Sequence, residues 1–260
     1  VADADAGTTL TLSGALSGTG DFGKLGDGIL VLSGTGSYSG DLGVEAGTLL
    51  VNGSYAAASA TNVLSGAVLG GNGTLGGNVT LADGAVLAPG ADGPGTLSIG
   101  GNLSLASGSL LAFEFGQANV TGGALNDLVN VGGDLVLDGT IDVSVPDGGA
   151  FGAGVHPGLN YGGLLTDNGL ELGTLPGNAT TAVQTSIAGQ VNLVNSAGLT
   201  LNFWDGAAGP KNDGVINGGD GVWQASAGNE QWTDATGAVN AANTDGAFAV
   251  FGGASGTGVV

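Results

Sequence analysis

Between Asn62 and Glu114 one phrase recurs three times: NVLSGAVLGG from Asn62, NVTLADGAVLAPG from Asn78 and NLSLASGSLLAFE from Asn102. Aligned on their turn glycines, Gly66, Gly84 and Gly108, the phrases step by 18 and then 24 residues. That is the length of one coil of a solenoid and too long for one arm of a hairpin. A chain repeating at this interval hides its apolar positions by stacking each repeat on the one before. The opening obeys the same rule, since Leu10-Thr11-Leu12-Ser13-Gly14 returns twenty residues on as Leu30-Val31-Leu32-Ser33-Gly34.

Within each phrase two apolar residues flank one outward position, the period-two pattern of a half-buried strand. Leu135 and Leu137 flank Val136; Ile141, Val143 and Val145 alternate with Asp142 and Ser144; Val191 and Leu193 flank Asn192; Leu199 and Leu201 flank Thr200. Between the strands stand GDG, NGS, GGNG, ADG and LDG, in which Gly, Asn or Asp supplies the turn. An antiparallel sandwich also has short strands and such turns, but the recurring step near 20 favours parallel stacking. The expected fold is all-β: a right-handed parallel β-helix, elongated and uncapped at both ends, its hand following the usual crossover rule. With about 4.8 Å per coil, about 11 to 13 coils give a rod of about 50 to 60 Å. Helix is disfavoured because no window of helical length lacks glycine, of which the chain has 57 in 260 residues.

Charge removes whole classes of partner. The net charge is −20, arginine is absent, and Lys24 and Lys211 are the only lysines. Rows of phosphate therefore find nothing to neutralise them, and neither nucleic acid nor an anionic membrane is an expected partner. Without cysteine there is no disulfide and no thiolate metal site. The opening VADADAG is not a signal peptide, no apolar stretch of about 18 residues offers a spanning helix, and the chain reads as a piece of a longer one.

Residues 1–201 are expected to form the repeat solenoid, with a looser coil or excursion loop near 146–163, where PDGGAFGAGVHPGLNYGG loses the alternation. Residues 202–260 hold Trp204, Trp223 and Trp232 in a different phrase, NFWDGAAGPKNDGVINGGDGVW, and are expected to continue the same solenoid as a second module. The tryptophans are expected to be buried where the coils change phrase, although exposed ones would stack on sugars.

Together, GTLLVNGS at Gly47–Ser54, GAVLGGNGTLGGNVTLADGAVLAPG and GTLSIGGNLSLASGSLLAFE are similar to passenger repeats of bacterial autotransporters, the secreted part of type V secretion proteins. LSGTGDFGKLGDGILVLSGTGSYSG at Leu16–Gly40 resembles the repeat that precedes them, and TDNGLELGTLP and the FWDG…GVW…WTDATGA module are similar to large passengers. The resemblance implies a β-helical passenger threaded unfolded through an outer-membrane barrel and folded at the bacterial cell surface. Absence of disulfides and coil-by-coil stacking both suit that route. Passengers differ widely in activity, so the fold carries no reaction with it.

The chemistry offered by individual residues is sparse. GTGDFGKL at Gly18–Leu25 is one residue short of a phosphate loop, and GNGTLG at Gly71–Gly76 matches a dinucleotide fingerprint. Neither is followed by a helix, and both read as turns. His156 is the sole histidine and reads as a surface loop residue without a nucleophile or orienting partner. Asp134, Asp138 and Asp142 are the carboxylates to weigh for a carbohydrate-active enzyme, but their spacing across a turn reads as solvated turn aspartates, and no arginine stands ready for a lyase. Asn217-Gly218-Gly219-Asp220-Gly221 faintly resembles a calcium turn, present once instead of in tandem. N-x-S/T sequons at Asn52, Asn78, Asn102, Asn119 and Asn178 are what Asn turns before β residues produce by chance.

No catalytic, cofactor or metal residue is assigned, and the chain is expected not to be an enzyme. The reading is a structural, surface-displayed adhesin or stalk segment of a large autotransporter, serving adhesion, aggregation or biofilm. Its expected partners are neighbouring repeats or other copies stacked end to end into a filament, and a host-surface or glycan ligand. The alternatives are a β-helix lyase or glycosidase, which needs two carboxylates about 5 to 10 Å apart, and a calcium-dependent binding module.

Overall fold

The computed structural model describes residues 1–55, 60–177, 180–223, 230–244 and 246–259. The chain winds in coils. The first two coils each contribute two strands, β1 (Ala2–Asp3) with β2 (Thr9–Leu12) and β3 (Phe22–Leu25) with β4 (Ile29–Leu32). From the third coil a third side is added: β5 (Leu42–Val44), β6 (Thr48–Val51) and β7 (Ser54–Tyr55), then β8 (Ala60–Val63), β9 (Val68–Gly71) and β10 (Thr74–Leu75). The fifth coil is β11 (Asn78–Leu81), β12 (Val86–Pro89) and β13 (Thr96–Ile99), and the sixth β14 (Leu103–Leu105), β15 (Leu110–Glu114) and β16 (Leu128–Val131). The seventh is β17 (Leu135–Leu137), β18 (Thr140–Ser144) and β19 (Gly154–Tyr161), and the eighth begins with β20 (Leu165–Asp167) and β21 (Glu171–Leu172).

Like strands of successive coils stack into three sheets. Sheet 1 runs β1-β3-β5-β8-β11-β14-β17-β20 and sheet 2 runs β2-β4-β6-β9-β12-β15-β18-β21. Sheet 3 runs β7-β10-β13-β16-β19, and every pair named so far is parallel. The fold is the expected parallel β-helix. The repeated phrases lie on one another: Val68 pairs with Val86 and Val86 with Leu110. The turn glycines stack as well, Gly66 N–H donating to Gly84 O at 2.9 Å and Gly84 N–H to Gly108 O at 2.7 Å. Gly66 and Gly84 have φ of 81° and 78°, which favours glycine there.

Alternation decides what is inside. In β6, β12 and β13 every second residue is buried, and Leu49, Leu69, Leu87 and Leu111 form one inward column of sheet 2. At about 2 kcal/mol per fully buried side chain, such columns supply the main stabilisation of the coil stack. Among the described residues the three sheets are built from eight coils, fewer than the 11 to 13 anticipated from a step near 20. The pairing steps lengthen along the chain, from Thr9↔Ile29 to Leu110↔Thr140 and Thr140↔Glu171, because residues 115–127 and then 145–153 leave the sheets as excursions between strands.

The stretch 146–163 divides: 146–153 is an excursion between strands, whereas Gly154–Tyr161 is β19, an eight-residue strand buried from Gly154 to Leu159. Its alternation is lost because both faces are covered. On its far edge β22 (Thr181–Gln184) and β23 (Gln190–Asn195) extend sheet 3 antiparallel, β19 pairing with β23 and β23 with β22. Leu159, Val191 and Leu193 belong to the solenoid core, whereas Val155 and Val194 join a second core with Ile187, Phe203, Ile216 and Val250.

Half of that second core, Phe203, Ile216 and Val250, comes from residues beyond 201. The remaining strands are β24 (Leu201–Trp204), β25 (Gly221–Val222), β26 (Trp232–Thr233), β27 (Asn240–Ala241), β28 (Phe248–Phe251) and β29 (Gly258–Val259). Where the sequence reading carries one solenoid through 202–260, these strands hydrogen-bond among themselves, and among the described residues none pairs with the three long sheets. Their packing lies on the outer side of β19 and β23, through the second core. The module keeps the winding habit, because β24 pairs parallel with β28, Gly218 with Ala254 and β25 with β29. The β26–β27 hairpin departs from it, pairing antiparallel along β24.

Candidate functional site: corner ladders and an aromatic cleft

The corner that leads into sheet 1 is built by side chains. Asn78 Oδ1 accepts the Asn102 N–H at 2.9 Å, Asn102 Oδ1 the Asp134 N–H at 2.8 Å, and Asp134 Oδ1 the Leu164 N–H at 2.8 Å. Lower down, Asp21 Oδ1 accepts from Asp41 N and Asp41 Oδ1 from Ala60 N, both at 3.2 Å. Each side chain satisfies a backbone donor that a corner leaves without a sheet partner. The carboxylates singled out in the sequence all fall in the seventh coil, but each is taken up by a backbone donor at a different place around it. Asp134 holds this corner, Asp142 Oδ1 accepts from Thr174 N at 2.5 Å, and Asp138 Oδ1 accepts from the next residue, Gly139, at 2.8 Å.

Lys24 is part of β3 and is 0% exposed, so the phosphate-loop phrase is a strand entered from a turn. Its ammonium donates to Leu25 O at 2.8 Å, Gly26 O at 2.6 Å and Ala46 O at 3.0 Å, tying two successive turns together. Burial lowers its pKa from the ordinary lysine value, against the opposing pull of Asp3 and Asp27. Gly71 closes β9 with φ 109°, and a Cβ there would fall 2.2 Å from Val51 O, which accounts for the glycine in GNGTLG without a nucleotide.

His156 is not on a surface loop. It lies in β19, 0% exposed, with its ring 4.3 Å from that of Phe151 and 5.6 Å from that of Phe115. Nε2 stands 3.0 Å from Gly152 O, and burial pulls its pKa below the ordinary histidine value, favouring the neutral ring. Nothing in the alternation of its own segment announces this, because Phe151 reaches it by the folding back of the preceding excursion and Phe115 comes from the coil before.

Two residues of the excursion before β16 escape a sequence reading altogether. Asn126 accepts from Gly116 N and Gln117 N, both at 3.0 Å, and donates to Gln117 O and Val120 O, both at 2.9 Å. Asp127 accepts from Gly95 N through one oxygen and Glu114 N through the other, each at 2.7 Å. Its carboxyl is raised to about 7, burial outweighing the two N–H donors, with the nearby Glu114 charge adding to the rise. The dipeptide Asn-Asp before an apolar run was the available signal, but it reads as an ordinary turn.

In the last module Asp205 is buried and accepts from Asn217 N at 2.8 Å and Asn240 Nδ2 at 2.7 Å, with Lys211 Nζ 3.8 Å away. The calcium-like turn is engaged with protein groups. Asp220 Oδ1 accepts from Thr257 N at 2.6 Å and Thr257 Oγ1 at 2.9 Å, and these bonds lower its pKa. Among the described residues no group of three or more His, Asp or Glu side chains is placed to hold a metal ion. Of the sequons, Asn178 lies outside the described residues; Asn78 and Asn102 are ladder rungs, and Asn52 Oδ1 accepts from Asn72 N at 3.1 Å.

Trp204 and Trp232 are buried as expected, their rings 5.0 Å apart and edge to face, and Trp204 Nε1 donates to Gly219 O at 2.8 Å. Trp223 is 36% exposed and Phe251 61%, with ring centroids 5.8 Å apart. Trp204, Trp223 and Phe251 line a cleft of about 540 Å³ whose other wall is Gly252–Gly256. Among the described residues its lining carries no charged side chain, and Ser255 adds a hydroxyl to it.

No protein-family model matches the chain. A stretch of the protein named Adhesin BmaC autotransporter, from Brucella suis biovar 1 (strain 1330), is 53% identical to it over 262 residues, 97% of this chain. The chain spans 8% of that relative's length. An identity of 53% over 97% of the chain, together with the coil-stacked parallel sheets, places this chain among the β-helical passenger segments of bacterial autotransporters.

Proposed function

We propose that the chain is a non-catalytic, surface-displayed adhesin segment, carried through the outer membrane in a much longer passenger and serving there as a stiff contact-bearing stalk. The observation that carries the reading is the 53% identity to part of a protein named an adhesin. The coil stack supports it: ladders and inward columns tie each coil to the next, so the segment holds its outer faces at fixed spacing. Neighbouring repeats of the same passenger, or other copies meeting end to end, are the partners that a winding backbone favours. The test is display of the folded chain on a non-adherent bacterium through an outer-membrane barrel. Attachment to host cells should exceed that of bacteria displaying the barrel alone; equal attachment with the chain demonstrably on the surface would sink the reading.

A second reading is favoured by the exposed rings of Trp223 and Phe251 over a cleft that, among the described residues, is lined by no charged side chain. Such rings stack on the apolar face of a neutral sugar. A glycan array probed with wild type and Trp223→Ala decides it, since glycan binding that survives the substitution removes the cleft from consideration.

A further inference from the structure

The three outer faces of the solenoid are chemically unequal. On sheet 1 the outward register row reads Asn62, Thr80, Ser104, and on sheet 3 Ser54, Thr74, Ser98, Asn130. On sheet 2 the corresponding row reads Ile29, Thr48, Val68, Val86, Leu110. Beside it Val31 pairs with Leu50, and Leu50 with Gly70. The Leu50 side chain lies over Gly70, where an added Cβ would sit 3.1 Å from Leu50 Cδ2. Apart from Gly70, which is buried, these sheet 2 residues are half-exposed, in register across five strands about 4.8 Å apart, so the strip, apolar but for Thr48, is about 20 Å long. In a chain of net charge −20, neither row carries a charge from β4 to β12.

Charge does return at the margins. Asp27, Glu45 and Asp83 stand exposed in the turns that enter sheet 2, and Glu114 and Asp142 are half-exposed at its far side. A second copy laid face to face would bring acidic margins together with no basic residue to offset them. A partner with an apolar strip between Lys or Arg margins meets attraction at the edges and burial at the centre.

Resting on the adhesin reading, we infer that the outer face of sheet 2 from β4 to β15 is its protein-docking surface, taking a β-structured partner whose apolar strip is bordered by basic side chains. Flat sheets stack face to face about 10 Å apart, which suits a strip of half-exposed β-branched residues. Steering by the acidic margins makes the association fall with salt.

The probe is a cyclised β-hairpin with Val and Ile on one face and Lys at its margins, its mirror a hairpin with Glu for Lys. Binding to the purified chain is read by fluorescence anisotropy for wild type, Ile29→Thr/Val68→Thr/Val86→Thr and the sheet 1 control Thr80→Ala/Ser104→Ala, each checked for its β melt. The Lys hairpin should bind wild type and the control alike, bind the triple variant about tenfold more weakly, and weaken in salt, while the Glu hairpin does not bind. Should the triple variant fail to fold, Leu50→Thr takes its place with the same expectation. No binding to wild type, or equal binding to the triple variant, overturns the inference. So does a wild-type dimer in sedimentation that the triple variant lacks, since the occupant is then a second copy. Host-cell attachment that the triple variant leaves intact keeps the adhesin reading and removes this face from it.

Discussion

Asn102 and Asp134 stand at the same corner one coil apart, Asn102 Oδ1 accepting the Asp134 N–H at 2.8 Å. The residue before Asp134 is glycine for the same reason: a Cβ on Gly133 would fall 2.1 Å from that Oδ1 and 3.0 Å from the Gly101 carbonyl. The recurrent Gly-Asn and Gly-Asp corners are thus one device, a side chain reaching upward and a gap left for it.

Asn102→Ala should cost about 1 kcal/mol, the worth of one backbone-capping hydrogen bond. Gly133→Ala should cost about 2 kcal/mol through overpacking. Combined, they should cost less than their sum, because the first substitution clears the space that the second fills. Urea unfolding of the four members of the cycle measures the coupling, and strict additivity would contradict the geometry.

Lys24→Met keeps the length of the side chain but leaves Gly26 O and Ala46 O without the donor they now share. Truncating the charge at a buried, fully engaged site should lower stability by about 3 kcal/mol. A midpoint in urea equal to that of wild type would show that water reaches these carbonyls.

Two buried groups give stability opposite slopes in pH. Asp127 titrates near 7 in the fold against an ordinary carboxylate value of 3.8 when unfolded, so its contribution is fully present below about 4 and is lost as pH rises through about 7. His156 is held below its ordinary 6.5, so the unfolded chain takes up the proton first and stability is lost as pH falls below that value. Asp127→Asn should remove the first slope and His156→Gln the second, read as denaturant midpoints from pH 4 to 8. Asp127→Asn should also cost about 2 kcal/mol near neutrality, because its amide donor faces a backbone N–H. Unchanged pH profiles in both variants would refute the assignment.

The tryptophans should separate by burial. Trp232→Ala empties a fully enclosed site and should cost about 4 kcal/mol, whereas Trp223→Ala, 36% exposed, should cost about 1 kcal/mol. Thermal melting of the two variants checks the order, and equal losses would place Trp223 inside.

Much of the solenoid is visible in local chemistry. The spacing of Gly66, Gly84 and Gly108 anticipates their stacking, and the leucines of LVL and TLSI turn inward where alternation says they must, since a strand has only two faces. The asymmetry of the outer faces is also written there: ILVL and VLAP turn apolar residues outward where NVT and LSL turn polar ones. Individual reaches are harder to read, as with Asp127, whose burial depends on Gly95 and Glu114 arriving from two other strands.

By itself, then, the sequence determined that this chain winds, which residues face inward, and where it turns, because period and turn chemistry act over a few residues at a time. The tertiary structure decided how many coils there are, where the last module lies, and that His156 is enclosed. Excursions absorb residues without adding a coil, and Val155 and Val194 are covered by Phe203, Ile216 and Val250 from far along the chain. A strand covered on both faces carries no alternation, so only the arrival of its distant neighbours shows that it is core.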